Sequence, residues 1–451
     1  MHMQHVDAII IGSGQGGVPL AVALAEQGKQ VVLFERSNVG GSCVNFGCTP
    51  SKSFLASAHA AGRARQAASV GVHAQVEIDF PMIMQRVDRI RTASRHSNEK
   101  RLNHPNIQLV RAEASFVGER QVTDGGDTWE APFVLIDTGS RAVVPDLPGL
   151  ADTPYLTDHN FWEIKELPRR ILILGAGYIG LETGQGLARL GSEVHIVDRS
   201  ERPLDREEAD VSDTLRDALE EDGVQFHMQS KVEHVHFANN MFTLSLEGGE
   251  QISGDMLLVA TGRQPNTEPL NVNASGIELD DKGYVQVNDQ LQTTCSGVYA
   301  IGDVAKQPPF THVSWEDYRR LLAILNGEKR TRDDLPVCYA VFTEPQVGRV
   351  GLTEDEAKQK GHTARSVTMP LSSTSRGSEW DAARGFYRIV VDDNTDKILG
   401  ATFVGYEAAE TVHTVVAHIT VGSTWQTLAR SMHIHPTFAE TLPSLALMLE
   451  D

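Results

Sequence analysis

One glycine pattern occurs twice in this chain with the same internal spacing, and it strongly limits how the chain can fold. Gly12-Ser13-Gly14-Gln15-Gly16-Gly17 follows the apolar run Asp7 to Ile11. Gly175-Ala176-Gly177-Tyr178-Ile179-Gly180 follows Arg170 to Leu174. Each turn leads into a helix-forming stretch, Val18 to Gln27 or a run ending at Leu190. A second apolar run then ends in an acid: Gln30 to Phe34 with Glu35, and Glu193 to Val197 with Asp198. Gly12 to Glu35 spans 23 positions, and so does Gly175 to Asp198. Short apolar runs bounded by glycine read as buried parallel strands. In such a strand–turn–helix–strand unit, Gly12, Gly14 and Gly17, or Gly175, Gly177 and Gly180, let the backbone approach a pyrophosphate at the helix N-terminus. The acid then accepts hydrogen bonds from ribose hydroxyls. A single copy could be a mere tight turn. Two copies in full context form an internal repeat of a dinucleotide-binding unit.

Between the copies lies Gly40-Gly41-Ser42-Cys43-Val44-Asn45-Phe46-Gly47-Cys48-Thr49-Pro50-Ser51-Lys52, with its two cysteines five residues apart. In a regular helix that separation holds the Cα atoms roughly 8–9 Å apart, beyond disulfide reach. A bond between them therefore needs a distorted backbone, which Gly47 permits. Pro50 fits the first turn of a helix that continues through Lys52 and Ala56 to Ala61. Thiols at a helix N-terminus ionise more readily than free ones. A zinc half-site is the competing reading, but zinc pairs usually sit two to four residues apart and need two more ligands. Cys295 and Cys338 are isolated, so no metal site is assigned.

This stretch resembles the active-site motif of the class I pyridine nucleotide-disulfide oxidoreductases, which include dihydrolipoamide dehydrogenase, glutathione reductase and mercuric reductase. The resemblance covers nearly the whole chain. It implies FAD on the first fold, at Gly12, Gly14, Gly17, Glu35, Gly41 and Ser42, with Cys43 attacking the substrate and Cys48 facing the flavin. It also implies that Glu182 pairs with Lys52 beside the flavin N5. There an ammonium stabilises the negative charge that arrives with a hydride, and the carboxylate offsets its burial. Tyr178 would cover the nicotinamide pocket. Thr138-Gly139-Ser140 resembles the turn that returns the chain to the FAD domain, and Val259 to Arg263, with Gly262, echoes it. Gly302-Asp303 resembles the second FAD motif, whose aspartate binds ribitol hydroxyls; a carboxylate suits a polyol because it accepts several hydrogen bonds. Phe310-Thr311-His312 falls where relatives approach the flavin's pyrimidine side.

On the second fold, Asp198 can accept from a free 2′-hydroxyl and would repel a 2′-phosphate, which favours NAD. Gly180, where NADP-using relatives often carry alanine, points the same way. Arg199 and Arg202 would suit a phosphate, so NADP stays possible. Near the end comes Ile434-His435-Pro436-Thr437-Phe438-Ala439-Glu440. Pro436 suits a first helical position, which would put His435 at the helix entrance and Glu440 within bonding reach. A carboxylate on one imidazole nitrogen fixes the tautomer and frees the other to shuttle a proton to a thiol. The His-Pro-Thr pattern matches the family's, which implies that His435 serves the dithiol of a second subunit in a homodimer.

The expected architecture is α/β: two Rossmann-like dinucleotide-binding domains, for FAD and NAD(P), plus a C-terminal α+β dimerisation domain. The segments are 1–145 for FAD (with a helical excursion at 50–105), 146–265 for NAD(P), a return to the FAD domain at 266–335, and dimerisation at 336–451. Ser53 to Asn103 reads as two long helices, the second from Phe80 to Leu102. Strands are expected at Tyr284 to Val287, Gly297 to Ile301, Val337 to Phe342, Gln346 to Val350, Phe386 to Val391 and Ile398 to Val404. Helices are expected at Ser314 to Leu325, Glu407 to Val421 and Thr424 to Ser431.

A net charge of −20 argues against nucleic acid and anionic membranes as partners. No apolar run approaches the roughly 18 residues of a membrane helix. The polar start from Met1 to Asp7 does not read as a signal peptide, so a cytoplasmic location is the expectation. The functional expectation is an enzyme passing electrons from NADH through FAD to Cys43–Cys48, and on to a small-molecule or protein-bound disulfide, reversibly. The alternative is a mercuric, copper or oxidised-sulfur reductase of the same family. Relatives that reduce mercury carry a second cysteine pair in the tail, which Leu445 to Asp451 lacks. The segment Phe310 to Arg320 is similar to a branch that includes the reactive-chlorine-resistance flavoproteins. A redox or NAD sensor without turnover is the reading from a different class.

Overall fold

The computed structural model describes residues 3–450. The polar start is thus seen from Met3, where Met3–His5 pairs with Thr128–Glu130; Met1, His2 and Asp451 lie outside the described residues. Ala8–Ile11 and Val31–Phe34 are buried at every position, as in a parallel sheet covered on both faces. Ala8–Ile11 lies between Val31–Phe34 and Phe133–Ile136, and Ile107–Val110 and Val298–Ala300 complete a parallel five-stranded sheet. The helix Gly17–Glu26 follows the first glycine turn and places Val18, Leu20, Ala21 and Leu24 in the core.

The second copy repeats this plan. Arg170–Leu174 sits between Glu193–Val197 and Met256–Val259, with Val224–His227 outside, all parallel. The turns match in detail. A Cβ on Gly12 would meet the Asp137 carbonyl at 2.2 Å, and one on Gly175 would meet the Ala260 carbonyl at 2.4 Å. A Cβ on Gly17 or Gly180 would lie 2.2 or 2.0 Å from the carbonyl of Gly12 or Gly175. At both turns a side chain would collide with backbone.

The helices Cys48–Gln66 and Phe80–Leu102 form the excursion. Asp79 caps the second, accepting from the Met82 amide at 2.9 Å. Phe54, Leu55, Phe80 and Met84 share one core with Leu181 and Leu187 of the helix Tyr178–Leu190. The helix that begins at Cys48 is thereby clamped to the helix of the second nucleotide fold, with Lys52 facing Glu182.

The last part of the chain is an antiparallel sheet ordered Cys338–Val341, Gln346–Gly351, Ile398–Gly405, Phe386–Asp392 and Ala364–Pro370. Val415, Leu442 and Leu445 from its helices pack on Tyr387, Ile389 and Phe403 of the sheet, so this region is α+β. The edge strand Ala364–Pro370 escapes the sequence reading because polar and apolar residues mix along it. So do the helix Ala209–Glu221 and the antiparallel sheet of Val232–Ala238, Met241–Leu246 and Gln251–Gly254. Three expectations need correction. Tyr284 to Val287 forms no continuous strand, only isolated bridges through Val285 and Val287. The helix expected over Glu407 to Val421 is two pieces, Ala408–Thr411 and His413–Thr420. Pro436 does not open a helix: it lies in a bend, and the helix begins at Thr441 with Glu440 as its N-cap residue.

Candidate active site

The backbone between the two cysteines is broken where a disulfide requires it. Gly41–Asn45 is one short helix and Cys48 opens the next. The Ser42 carbonyl accepts from both the Phe46 amide, at 2.8 Å, and the Gly47 amide, at 2.6 Å. Gly47 sits at φ −108° and ψ −114°, between the helices. The bridge is held from outside as well. Trp162 Nε1 donates to the Phe46 carbonyl at 2.7 Å, and the His159 ring packs on Phe46 with centroids 3.8 Å apart.

The two sulfurs are free thiols with opposite electrostatics. Cys48 is lowered to about 6, first because Cys43 donates a hydrogen bond to it, against the cost of burial. The Thr311 hydroxyl, 3.1 Å from the Cys48 sulfur, and the Lys52 charge act in the same direction. Cys43 is pushed up, first by that same hydrogen bond and then by burial. Only Cys48 is therefore poised as a thiolate, and Cys43 keeps its proton until a base removes it. A helix N-terminus alone, which both thiols have near them, does not predict this division.

Lys52 Nζ donates to Glu182 Oε2 at 2.7 Å and lies 4.6 Å from the Phe342 ring centre. The Phe342 amide donates to the other oxygen, Oε1, at 2.9 Å. Glu182 is 4% exposed, so these two partners are what satisfy its charge. Both residues line a cavity of about 1350 Å³, as do Gly12, Gly14, Cys48 and Asp303.

The rest of that cavity fits a long dinucleotide. Glu35 Oε2 accepts from the Ser13 hydroxyl at 2.5 Å and the Ser13 amide at 3.2 Å, so the acid is fixed beside the glycine turn. A Cβ on Gly41 would lie 2.8 Å from the Gly14 Cα, so these two glycines make a bare backbone surface. Thr138 donates to the Asn266 carbonyl at 2.8 Å, and Gly139, at φ +64°, turns the chain there. Asp303 is bonded by the Ser140 hydroxyl and lies 3.7 Å from Arg263. Arg263 also pairs with Asp158 at 2.7 Å. Tyr178 lines the cavity too, its phenol pushed up to about 12 by burial, with Phe310 6.2 Å from its ring.

Other expected residues lie elsewhere. Asp198 caps the second turn, accepting from the Ala176 amide at 2.7 Å and the Ser200 amide at 2.8 Å. Arg199 is exposed beside it, and Gly262 takes φ +143° at the echoing turn. Gly175, Gly177, Gly180 and Asp198 do not line the large cavity. Nor do His435 and Glu440, which do meet each other: His435 Nδ1 donates to Glu440 Oε2 at 2.8 Å. In the neutral imidazole that bond makes Nε2 the acceptor nitrogen. Sequence reasoning missed Ser13, Trp162, Arg263, Asn266 and Phe342, because their roles arise from contacts across distant segments.

Residues 6–317 match the family model described as pyridine nucleotide-disulphide oxidoreductase, and residues 337–446 match that family's dimerisation domain. The chain belongs to this family. It is a FAD-dependent oxidoreductase that uses a pyridine nucleotide. It is 33% identical to the probable pyridine nucleotide-disulfide oxidoreductase RclA of Escherichia coli, over 98% of this chain and 99% of that one. A mercuric reductase of Staphylococcus aureus is 33% identical over 98% of this chain and 82% of its own. A dihydrolipoyl dehydrogenase of Haloferax volcanii is 32% identical over 98% and 95%. A solved structure described as the Cu(II) complex of HOCl-induced flavoprotein disulfide reductase RclA from Escherichia coli superposes with a TM-score of 0.90 at 32% identity, covering 99% of this chain and all of that one. Among the described residues, no helix is long and apolar enough to cross a membrane, and no group of three or more metal-ligating side chains is assembled.

Proposed function

We propose that the enzyme carries electrons from NADH to the Cys43–Cys48 disulfide, and from the resulting dithiol to an acceptor disulfide or another thiol-reactive acceptor, in either direction. The observation that carries this reading is the broken backbone between Cys43 and Cys48, at the edge of a cavity that also holds the Lys52–Glu182 pair. Bound FAD supplies the two-electron link between nicotinamide and sulfur. Gly12, Gly14, Gly17, Gly41, Ser42 and Glu35 would hold its adenosine and diphosphate. Thr138, Gly139, Asp303 and Thr311 would hold its ribitol and ring end. Gly175, Gly177, Gly180, Asp198, Arg199 and Gly262 would hold the nicotinamide dinucleotide, with Tyr178 over the entry.

The chain's own residues then divide the chemistry. Lys52 keeps a positive charge at the cavity floor, and Glu182 holds it there. Cys43 loses its proton to His435 Nε2 of the partner subunit, whose tautomer Glu440 fixes. The Cys43 thiolate attacks one sulfur of the acceptor disulfide and expels the other as a thiolate, which the imidazolium protonates. Cys48 then displaces the second thiolate and closes the Cys43–Cys48 bond. The match to the dimerisation domain, and the position of His435 and Glu440 away from the cavity of their own chain, support a homodimer as the working unit.

A second reading is supported by the full-length likeness to a protein whose structure is described as a Cu(II) complex and as HOCl-induced. Under that reading, the acceptor is an oxidised sulfur species or a soft metal ion, taken directly by the dithiol. NADH oxidation measured against lipoamide, glutathione disulfide, hypothiocyanite, Hg(II) and Cu(II) separates the two. Absence of turnover with every one of these acceptors would favour the sensor reading, and so would a colourless purified protein.

A further inference from the structure

Asp137 is a buried carboxyl that neither the mechanism nor the motifs account for. The two glycine turns offer a comparison within one chain. The Asp137 amide donates to the Ile11 carbonyl at 2.8 Å, and the Ala260 amide donates to the Leu174 carbonyl at the same 2.8 Å. Asp137 and Ala260 likewise present their carbonyls to the first glycine of their turns. The two residues thus hold equivalent places, and the first fold has a carboxyl where the second has a methyl.

The extra carboxyl reaches into the turn. Asp137 Oδ2 accepts from the Gly17 amide at 2.7 Å, at the start of the helix Gly17–Glu26. The same oxygen lies 2.7 Å from where a Gly14 Cβ would stand. Asp137 Oδ1 is 3.5 Å from the Ser314 hydroxyl. Asp137 is 7% exposed. Burial pushes it up to about 8, partly opposed by bonds from the Gly17 and Gly16 amides. The other charges that act on it are carboxylates, Asp303 at the turn that follows Val298–Ala300 and Asp317 on the helix Thr311–Leu325. Asp317 is itself tied to Arg320 at 3.0 Å. A helix N-terminus ordinarily favours a carboxylate, but this turn is also built to receive a diphosphate. A negative charge directly behind it would oppose the ligand, whereas a neutral acid keeps the turn in shape without that repulsion.

We propose that Asp137 is a positioning residue for the flavin dinucleotide: it shapes the turn that receives the diphosphate, and its ionisation loosens the cofactor's hold. This rests on the reading that FAD occupies the first fold.

The test is FAD release from the holoenzyme, followed by the fluorescence of freed flavin from pH 6.5 to 9.5. It is run on wild type, Asp137→Asn and Asp137→Ala, the last matching Ala260. Wild type should lose FAD affinity by about tenfold across a single titration near pH 8, the scale of one nearby charge at the effective dielectric of a partly buried site. Both variants should stay flat within about twofold, since neither can ionise. A wild-type pH profile kept by both variants would overturn the proposal. NADH binding to the same proteins is the control for placement. If the substitutions flatten the pH dependence of NADH binding and leave flavin release unchanged, the first turn does not hold FAD, and the reading beneath the proposal fails with it.

Discussion

Replacing Thr311 with valine removes one of the three influences that keep Cys48 ionised. The Thr311 hydroxyl stands 3.1 Å from the Cys48 sulfur, while the hydrogen bond from Cys43 and the Lys52 charge remain in the variant. A hydrogen bond to a charged group is worth about 1.5–3 kcal/mol, and the valine also leaves the thiolate less well solvated. At 1.36 kcal/mol per unit, loss of the bond raises Cys48 from about 6 to about 7–8. The sign follows from which form is bonded: the hydroxyl donates to the thiolate, so removing it favours the thiol. At a given pH the variant should therefore hold more of its Cys48 as the thiol than the wild type does. The assay is a pH titration of the two-electron-reduced enzyme, following the long-wavelength absorbance that a thiolate beside an oxidised flavin produces. Thr311→Ser, which keeps the hydroxyl, should restore the wild-type midpoint. An unchanged midpoint in Thr311→Val would refute the assignment of Thr311 as a donor to Cys48.

Lys52→Met should slow flavin reduction by NADH about 10- to 100-fold in stopped flow, by removing a charge that stabilises the reduced centre; reduction at the wild-type rate contradicts the role. The same change leaves Glu182, 4% exposed, without its cation. It should therefore cost about 2–3 kcal/mol in urea unfolding, somewhat less than a fully buried pair because Lys52 is itself one-third exposed. Cys43→Ser and His435→Gln chains should each be inactive alone, whereas their heterodimers should regain about half of wild-type turnover, since one composite site per dimer is intact. Inactive heterodimers would place His435 in its own chain's site, and an active His435→Gln homodimer would place it outside catalysis. NADH should be used at least about tenfold more efficiently than NADPH in steady-state kinetics, and Asp198→Ala should narrow the gap; a preference for NADPH would reverse the reading of Asp198.

What could be read from the residues was what is local. The glycine turns are legible because both constraints, a helix start and a backbone collision at Gly17 or Gly180, fall within six residues. The kink between Cys43 and Cys48 is legible because five residues of regular helix cannot bring two sulfurs together. The Lys52–Glu182 contact came only through family resemblance, since 130 positions separate the two and packing of their helices through Phe54 and Leu181 joins them. Pro436 misled because proline at a first helical turn is a preference, and Thr437 and Phe438 form a bend before the helix instead. The partition of charge between the thiols was not legible, because it depends first on the hydrogen bond that Cys43 gives to Cys48 across the broken backbone, which no residue pattern fixes. Asp137 had one available signal, its mismatch with Ala260 across the repeat.

The central claim is that Cys43 and Cys48 exchange electrons with a nicotinamide. It is tested most directly by alkylating the air-oxidised enzyme under denaturing conditions, before and after anaerobic NADH, and locating the label by mass spectrometry. Cys43 and Cys48 should be protected as a single cross-linked pair beforehand and both labelled after NADH, while Cys295 and Cys338 label equally in each sample. Labelling of Cys43 and Cys48 that does not depend on NADH would contradict the account.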